Sequence, residues 1–269
     1  MLSKETKEHI NDESSPLISI ITPLYNAESF ITETVQSVLN QSYKNWEQII
    51  VNDASTDASL SRVKALVQND DRIRIEDLTS NKGAAFCRNL ATNMAKGTYI
   101  AFLDSDDLWH PEKLEKQLAF MKRNQCDVSY TSYLHIDESG NNLNKRIVAL
   151  PELPFKKQHR NNYIGNLTGM YNVAKLGKIA SPDIRKRQDW AVWLEAIKRS
   201  GKPAMGLQQD LSYYRVRQDS MSSNKTKLVK YNYGFYRDYL GYSTIKSGWN
   251  LIKFFYEYFF VRPRYIQKL

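Results

Sequence analysis

The segment Tyr99-Ile-Ala-Phe-Leu-Asp-Ser-Asp-Asp107 constrains the chain most, because a short apolar run breaks off into a cluster of carboxylates. An apolar run of this length reads as a buried strand, and open α/β sheets bind ligands outside the carboxyl ends of their strands. Asp104 and Asp106 stand two residues apart, so in an extended segment they share a face. Two hard oxygen donors side by side suit Mg²⁺ or Mn²⁺. The same pattern also serves as an acidic turn leading into a helix that starts near Pro111, since Asp is favoured at helix starts.

The flanking sequence repeats one theme. Leu17 to Thr22 is a β-branched run that stops at Pro23-Leu-Tyr-Asn26, where Asn26 can cap the helix that Ile31, Val35 and Val38 mark up to Gln41. Trp46 to Val51 is a second strand, Leu60, Val63 and Val67 mark a second helix, and Arg72 to Leu78 is a third strand. A helix over Gly83 to Ala95 and a strand over Thr98 to Leu103 complete a β-α-β-α-β-α-β order. Such alternation predicts a mainly parallel sheet of the α/β class with helices on both faces. Gly-x-Gly-x-x-Gly and Walker patterns are absent, which argues against a dinucleotide dehydrogenase or a P-loop nucleotidase.

Beyond Pro111 a Lys- and Leu-rich helix runs to Asn124, and Asp127 to His135 reads as a strand. The polar stretch from Asn141 to Arg160 reads as a loop, Asn166 to Asn172 as a strand, Gln188 to Lys198 as a helix and Met205 to Val216 as a strand. Arg217 to Lys225 has the composition of a mobile connection. Cys87 and Cys126 are too few for a disulfide framework and read as buried reduced thiols. None of the four histidines has ligand spacing. No run reaches the roughly 20 apolar residues of a membrane span, and the polar leader, residues 1–15, lacks the apolar centre of a signal peptide. A cytoplasmic protein is expected.

The net charge of +9 is concentrated at the end of the chain. From Lys225 to Leu269 nine Lys or Arg stand against two acids, Asp238 and Glu257, among many Tyr and Phe. That mixture suits C-terminal helices whose aromatic face covers the core, or peripheral contact with the inner face of an anionic membrane. No nucleic-acid-binding motif accompanies it.

Four pieces in order resemble family-two glycosyltransferases of the GT-A fold. They are Ile20-Ile-Thr-Pro-Leu-Tyr-Asn26, Val51-Asn-Asp-Ala-Ser-Thr-Asp57, Asn81-Lys-Gly-Ala-Ala-Phe-Cys-Arg-Asn89 and Phe102-Leu-Asp-Ser-Asp-Asp107. Gln188-Asp-Trp190 resembles the family's later acidic motif. The resemblance covers roughly residues 16 to 220 and extends to transferases of capsule, teichuronic acid and lipopolysaccharide synthesis. It implies a donor-binding half over residues 16–110, an acceptor-binding half over 111–224 and a basic aromatic helical region over 225–269.

By that resemblance Thr22 and Tyr25 border the nucleotide base, Asp53 bonds the uracil ring and Asp57 caps a helix. Arg88 lies near the phosphates, Asp104 bonds the ribose, and Asp106 holds the Mn²⁺ or Mg²⁺ that bridges the two phosphates, with Asp104 beside it. Asp107 is left as a helix cap or a third ligand. Trp109 lies under the donor or simply in the core, and Arg217 with Ser220 to Ser223 matches a loop closing over the diphosphate. Asp189 is implied as the catalytic base. The implied reaction is inverting transfer of a hexosyl or N-acetylhexosaminyl group from a UDP-sugar to a saccharide or lipid-linked acceptor in surface polysaccharide synthesis. The alternatives are a sugar nucleotidyltransferase and a non-catalytic sugar- or nucleotide-binding module.

Overall fold

The computed structural model describes residues 15–217 and 225–269, with side chains described outside residues 225–228. The strands are β1 (Ile18–Leu24), β2 (Trp46–Asn52), β3 (Ile73–Asp77), β4 (Tyr99–Phe102), β5 (Leu108–Trp109), β6 (Val128–Ile136), β7 (Asn142–Ile147), β8 (Glu152–Leu153), β9 (Met170–Asn172), β10 (Ala204–Arg215) and β11 (Ile266–Lys268). The helices are α1 (Ile31–Leu39), α2 (Ser59–Leu66), α3 (Ala84–Met94), α4 (Lys113–Arg123), α5 (Phe155–Arg160), α6 (Val173–Leu176), α7 (Gln188–Ser200), α8 (Lys225–Gly234) and α9 (Thr244–Tyr256).

Strand alternation explains the layering. Successive side chains of a strand point to opposite faces. Ile21, Ile49, Ile100 and Phe102 therefore enter one core with Cys87 and Ala91 of α3 and Trp193 and Ile197 of α7. Their neighbours Ile20, Ile50, Ala101 and Leu103 enter the other, with Val35 and Val38 of α1, Val63 of α2 and Leu114 and Leu118 of α4. The sheet is buried on both faces, as the unbroken apolar runs require.

Strands β4-β1-β2-β3 lie adjacent and parallel, the expected first half. The second half is mixed rather than parallel. There β6 runs parallel to β10 but antiparallel to β7 and β9, and β9 runs antiparallel to β4. Two expectations are corrected here. Residues 141–160 hold β7, β8 and the short α5, because β7 pairs with the preceding β6 as a hairpin and gains the C-terminal β11, remote in sequence, on its other edge. Residues 166–168 form a 3₁₀ turn, leaving only 170–172 as strand.

The C-terminal region is held by aromatic packing and one buried charge. Trp190 of α7 stacks on Phe235 with ring centroids 4.1 Å apart, and Tyr236 and Phe254 close the cluster. Such ring pairs contribute about 0.5–1.5 kcal/mol each beyond their burial. Glu257, buried, accepts from Lys157 Nζ at 2.9 Å and from the Tyr163 hydroxyl. The other face of the same segment stays in solvent: Ile245, Trp249, Ile252, Tyr256, Phe259 and Phe260 are all exposed. The aromatic tail thus covers core with one face only.

His159 sits at this joint, bonded to the Tyr242 hydroxyl at 3.1 Å and in ring contact with Phe155, Tyr236 and Tyr242. Burial, then the nearby Lys246, Lys253 and Arg160, lowers its pKa to about 4. The unfolded chain takes this proton near the ordinary value of about 6.5, so between the two values the unfolded state binds more protons and stability falls as pH drops. His135, also lowered to about 4 by burial, adds in the same direction. We expect the melting temperature to fall from pH 6.5 towards 4, and the His159→Gln variant to show a shallower fall. Identical pH slopes in calorimetry would contradict this.

Candidate active site

The acid loop after β4 forms where the apolar run ends, and three arginines meet its three carboxylates. Arg88 of α3 donates through Nη2 to Asp104 Oδ1 at 2.7 Å and through Nη1 to Gln188 at 3.0 Å. Asn166 Nδ2 also donates to both Asp104 oxygens, at 3.2 and 3.3 Å. Arg217 donates to Asp106 Oδ2 at 3.2 Å. The backbone N–H of Arg215 donates to Asp107 Oδ1 at 2.9 Å. The Arg215 guanidinium bonds the Asp106 carbonyl, the Glu138 carbonyl and Glu33 Oε2 at 2.6 to 2.8 Å.

Charge crowding persists despite these partners. Burial, then Asp104, pushes the Asp106 carboxyl up against the opposing pull of Arg217. Burial, then Asp106 and Asp104, pushes Asp107 well up. Burial also works against the Arg88 charge, yet Asp104 and then Asp189 outweigh it and hold the guanidinium above its usual range. Arg88 Nε is buried without a hydrogen-bond partner among the described residues.

Next to Gln188, which accepts from Arg88, α7 presents Asp189 in its first turn, where the helix dipole favours a carboxylate. Asn162 Nδ2 donates to its Oδ2 at 2.7 Å. Asn89, next to Arg88, exchanges two hydrogen bonds of 2.8 and 2.7 Å with the backbone of Ser181, tying the segment before α7 to α3. The acid loop, α3 and the start of α7 enclose a cleft of about 840 Å³, lined by Lys82, Arg88, Asp104, Asp107, Asn162, Arg187, Asp189 and Arg262 among others. That size suits a nucleotide-sized ligand.

Other residues singled out in the sequence fall outside the cleft. Asp53 Oδ1 and Oδ2 accept from the backbone N–H groups of Lys82 and Gly83 at 2.6 and 2.9 Å. Gly83 has φ +87°, a conformation open to glycine, and this turn brings both amides onto one carboxylate. Cys87, near Asp53, is pushed up to about 12 by burial and then by that carboxylate. Thr22 is a correction: it is 0% exposed and accepts from Gln48 Nε2, so strand alternation turns it into the protein instead of towards a base. Tyr25 is half-exposed just beyond β1.

Asn26 does not cap α1; it has φ 44° and accepts from Thr56 N–H, while α1 starts without a side-chain cap. Asp57 does serve the start of α2, accepting from Ser59 N–H and Oγ. Asp107 caps no helix. Trp109 is core, its Nε1 donating to the Leu167 carbonyl. Ser220 to Ser223 lie outside the described residues. Sequence reasoning missed Arg215, Asn162, Arg187 and Arg262; a lone Arg or Asn in these segments carries no local signal.

The sequence pattern described as glycosyl transferase family 2 matches residues 19–179. The chain is 42% identical to a Bacillus subtilis protein named as a teichuronic acid biosynthesis glycosyltransferase, over 89% of this chain and 94% of the relative. The chain belongs to glycosyltransferase family 2. It is 37% identical to the Escherichia coli UDP-Glc:alpha-D-GlcNAc-diphosphoundecaprenol beta-1,3-glucosyltransferase WfgD, over 83% of this chain and 87% of that one. In fold it resembles Staphylococcus aureus TarS in its complex with UDP-GlcNAc, with a TM-score of 0.70 at 23% identity, covering 90% of this chain and 73% of TarS. The family-two glycosyltransferase is thus an enzyme with the GT-A architecture expected from its motifs, which sets aside the nucleotidyltransferase and the binding module.

Proposed function

We propose that this glycosyltransferase moves a hexosyl or N-acetylhexosaminyl group from a UDP-sugar to a saccharide or lipid-linked acceptor of a bacterial surface polysaccharide, with inversion and with Mn²⁺ or Mg²⁺. One observation carries the mechanism: the Arg88–Asp104 pair and the Asp189 carboxylate line one cleft. The 37% identical glucosyltransferase named for UDP-Glc and a diphosphoundecaprenol-linked acceptor supports the substrate classes.

Breaking a sugar–diphosphate bond builds negative charge on the leaving group as the anomeric carbon becomes electron-poor. Arg88, with its free Nε, and Arg217 neutralise that charge. Asp53 lies outside the cleft at 3% exposure, and its part in the proposal is to hold the Lys82–Gly83 turn that lines the cleft, through the two amide bonds its oxygens accept. Asp189 takes the proton of the attacking hydroxyl: Asn162 holds Oδ2 and leaves Oδ1 for the acceptor. Attack on the face of the anomeric carbon opposite the leaving group inverts the configuration.

The donor set fits a divalent cation. Three carboxylates repel one another in the acid loop, and Asp106 with Asp104 would hold the ion. Among the described residues no group of three or more His, Cys, Asp or Glu is arranged around a metal, so donor phosphates would complete the shell, the usual arrangement for Mg²⁺. When bound, the ion supplies charge stabilisation to the leaving diphosphate.

The exposed apolar stripe of α9, with Lys246 and Lys253 beside it, is the surface through which the enzyme would lie on an anionic membrane. No helix among the described residues is long and apolar enough to cross one. Ile252→Glu combined with Phe259→Glu should release the protein from anionic vesicles with which the wild type sediments. Equal sedimentation of both forms would remove this surface from the proposal. For the chemistry, Asp189→Asn should lower turnover of a UDP-sugar roughly 10²- to 10⁴-fold, the usual worth of a general base, while calorimetric affinity for UDP stays within about twofold. Nuclear magnetic resonance of the product should show the anomeric configuration opposite to the donor's; retention, or an active Asn variant, would contradict the role of Asp189.

A further inference from the structure

The acceptor wall of the cleft carries positive charge that the donor chemistry does not use. Arg187 precedes α7 and lines the cleft with its side chain largely withdrawn from solvent. Its Nε donates to Asn232 Oδ1 at 2.7 Å, a neutral acceptor. Arg262, from the segment after α9, lines the same wall and donates to Asn161 Oδ1 at 3.2 Å and to the Asn162 carbonyl, again neutral, with its guanidinium over the Tyr163 ring. Among the described residues neither guanidinium forms an ion pair. Withdrawing a guanidinium from solvent with no carboxylate bonded to it is costly, and such groups in a cleft mark a place where an anion binds.

Three further observations point the same way. Burial, opposed by Asp189 and assisted by Arg262, holds the Arg187 guanidinium below its usual range, so the two cations are close enough to repel. Arg187 has φ +73°, a left-handed backbone that a non-glycine residue adopts at a cost and that the surroundings must enforce. Asn162 links the site to the chemistry, because its carbonyl accepts from Arg262 while its side chain holds Asp189.

We propose that Arg187 and Arg262 form a second anion site, distinct from the donor phosphate site at Arg88, that binds the phosphate or diphosphate group of the acceptor. A guanidinium pair suits phosphate oxygens, which accept from two N–H groups at once. An anion held there is one residue, Asn162, from the base, so binding it places the acceptor's sugar hydroxyls beside Asp189. Phe254 and Tyr258 also line the cleft, their rings in contact, and Tyr258 touches the exposed ring of Phe259 in the apolar stripe. An apolar chain attached to the phosphate therefore has a continuous aromatic path from the cleft to that stripe. The proposal rests on the transferase reading and names the acceptor chemistry within it.

The test is calorimetric titration of a short alkyl diphosphate into the full-length enzyme, first alone and then with the donor site saturated with UDP. The wild type should bind the alkyl diphosphate in both conditions. Arg187→Asn, which keeps a residue tolerant of the left-handed backbone, and Arg262→Gln should each weaken that binding tenfold or more and leave UDP affinity within about twofold. Competition between the alkyl diphosphate and UDP in the wild type would overturn the proposal, since both would then share the donor site. Undiminished binding in the variants would overturn it as well. A failure of UDP to bind at all would count against the donor reading and leave the titration without UDP to decide the anion site. If Arg262→Gln melts well below the wild type, Arg187→Asn alone decides the outcome.

Discussion

Three carboxylates within four residues are held against one another by three arginines, and the architecture of the site follows from that balance. Asp104, Asp106 and Asp107 repel strongly where burial lowers the local dielectric. Arg88 comes from α3, while Arg217 and Arg215 come from the end of β10, so the loop is tolerable only when both parts of the molecule are in place. Arg215 extends the tie, joining Glu33 of α1 and the carbonyls of Asp137 and Glu138 to the acid loop. The long β6–β10 pairing delivers these two arginines, and the cleft opens where the balance is struck.

The position of Asp189 depends on a different force. Helix α7 buries Trp193 in the sheet's core and Trp190 against the C-terminal helices, so apolar burial on two sides holds Asp189 in the helix's first turn. Aromatic residues of this size carry a large share of such packing energy. The C-terminal region therefore helps to line the cleft as well as covering the core, contributing Phe254, Tyr258 and Arg262. Electrostatics sets the acid loop, and packing sets the position of Asp189.

Much of the first half was legible in the sequence because each strand feeds two cores. Ile20 and Ile21, or Ile49 and Ile50, can alternate between faces only in a covered sheet, and the helical spacing of Ile31, Val35 and Val38 follows from burying one helix face. The second half was opaque where pairing is non-local. Nothing in the polar run Asn142–Ile147 announces a strand, since its partners β6 and β11 lie on either side in sequence, the latter more than a hundred residues away. In the site, Arg88, Asp104 and Asp189 were recognisable as motif members and do converge. Thr22 and Asn26 went elsewhere because strand alternation and a left-handed turn decide their directions. Arg215, Asn162, Arg187 and Arg262 gain their meaning only from tertiary neighbours.

Calorimetric titration of UDP, GDP, CDP and dTDP, each with and without Mn²⁺, bears on the donor wall before any acceptor is known. A nucleotide that occupies the native site also raises the melting temperature, giving an independent readout. On the proposed reading UDP binds selectively and more tightly with Mn²⁺, because the ion would relieve repulsion that Arg88 and Arg217 only partly offset. Binding of no nucleotide, or equal UDP affinity with and without the metal, would show that the acid loop after β4 is not a donor site.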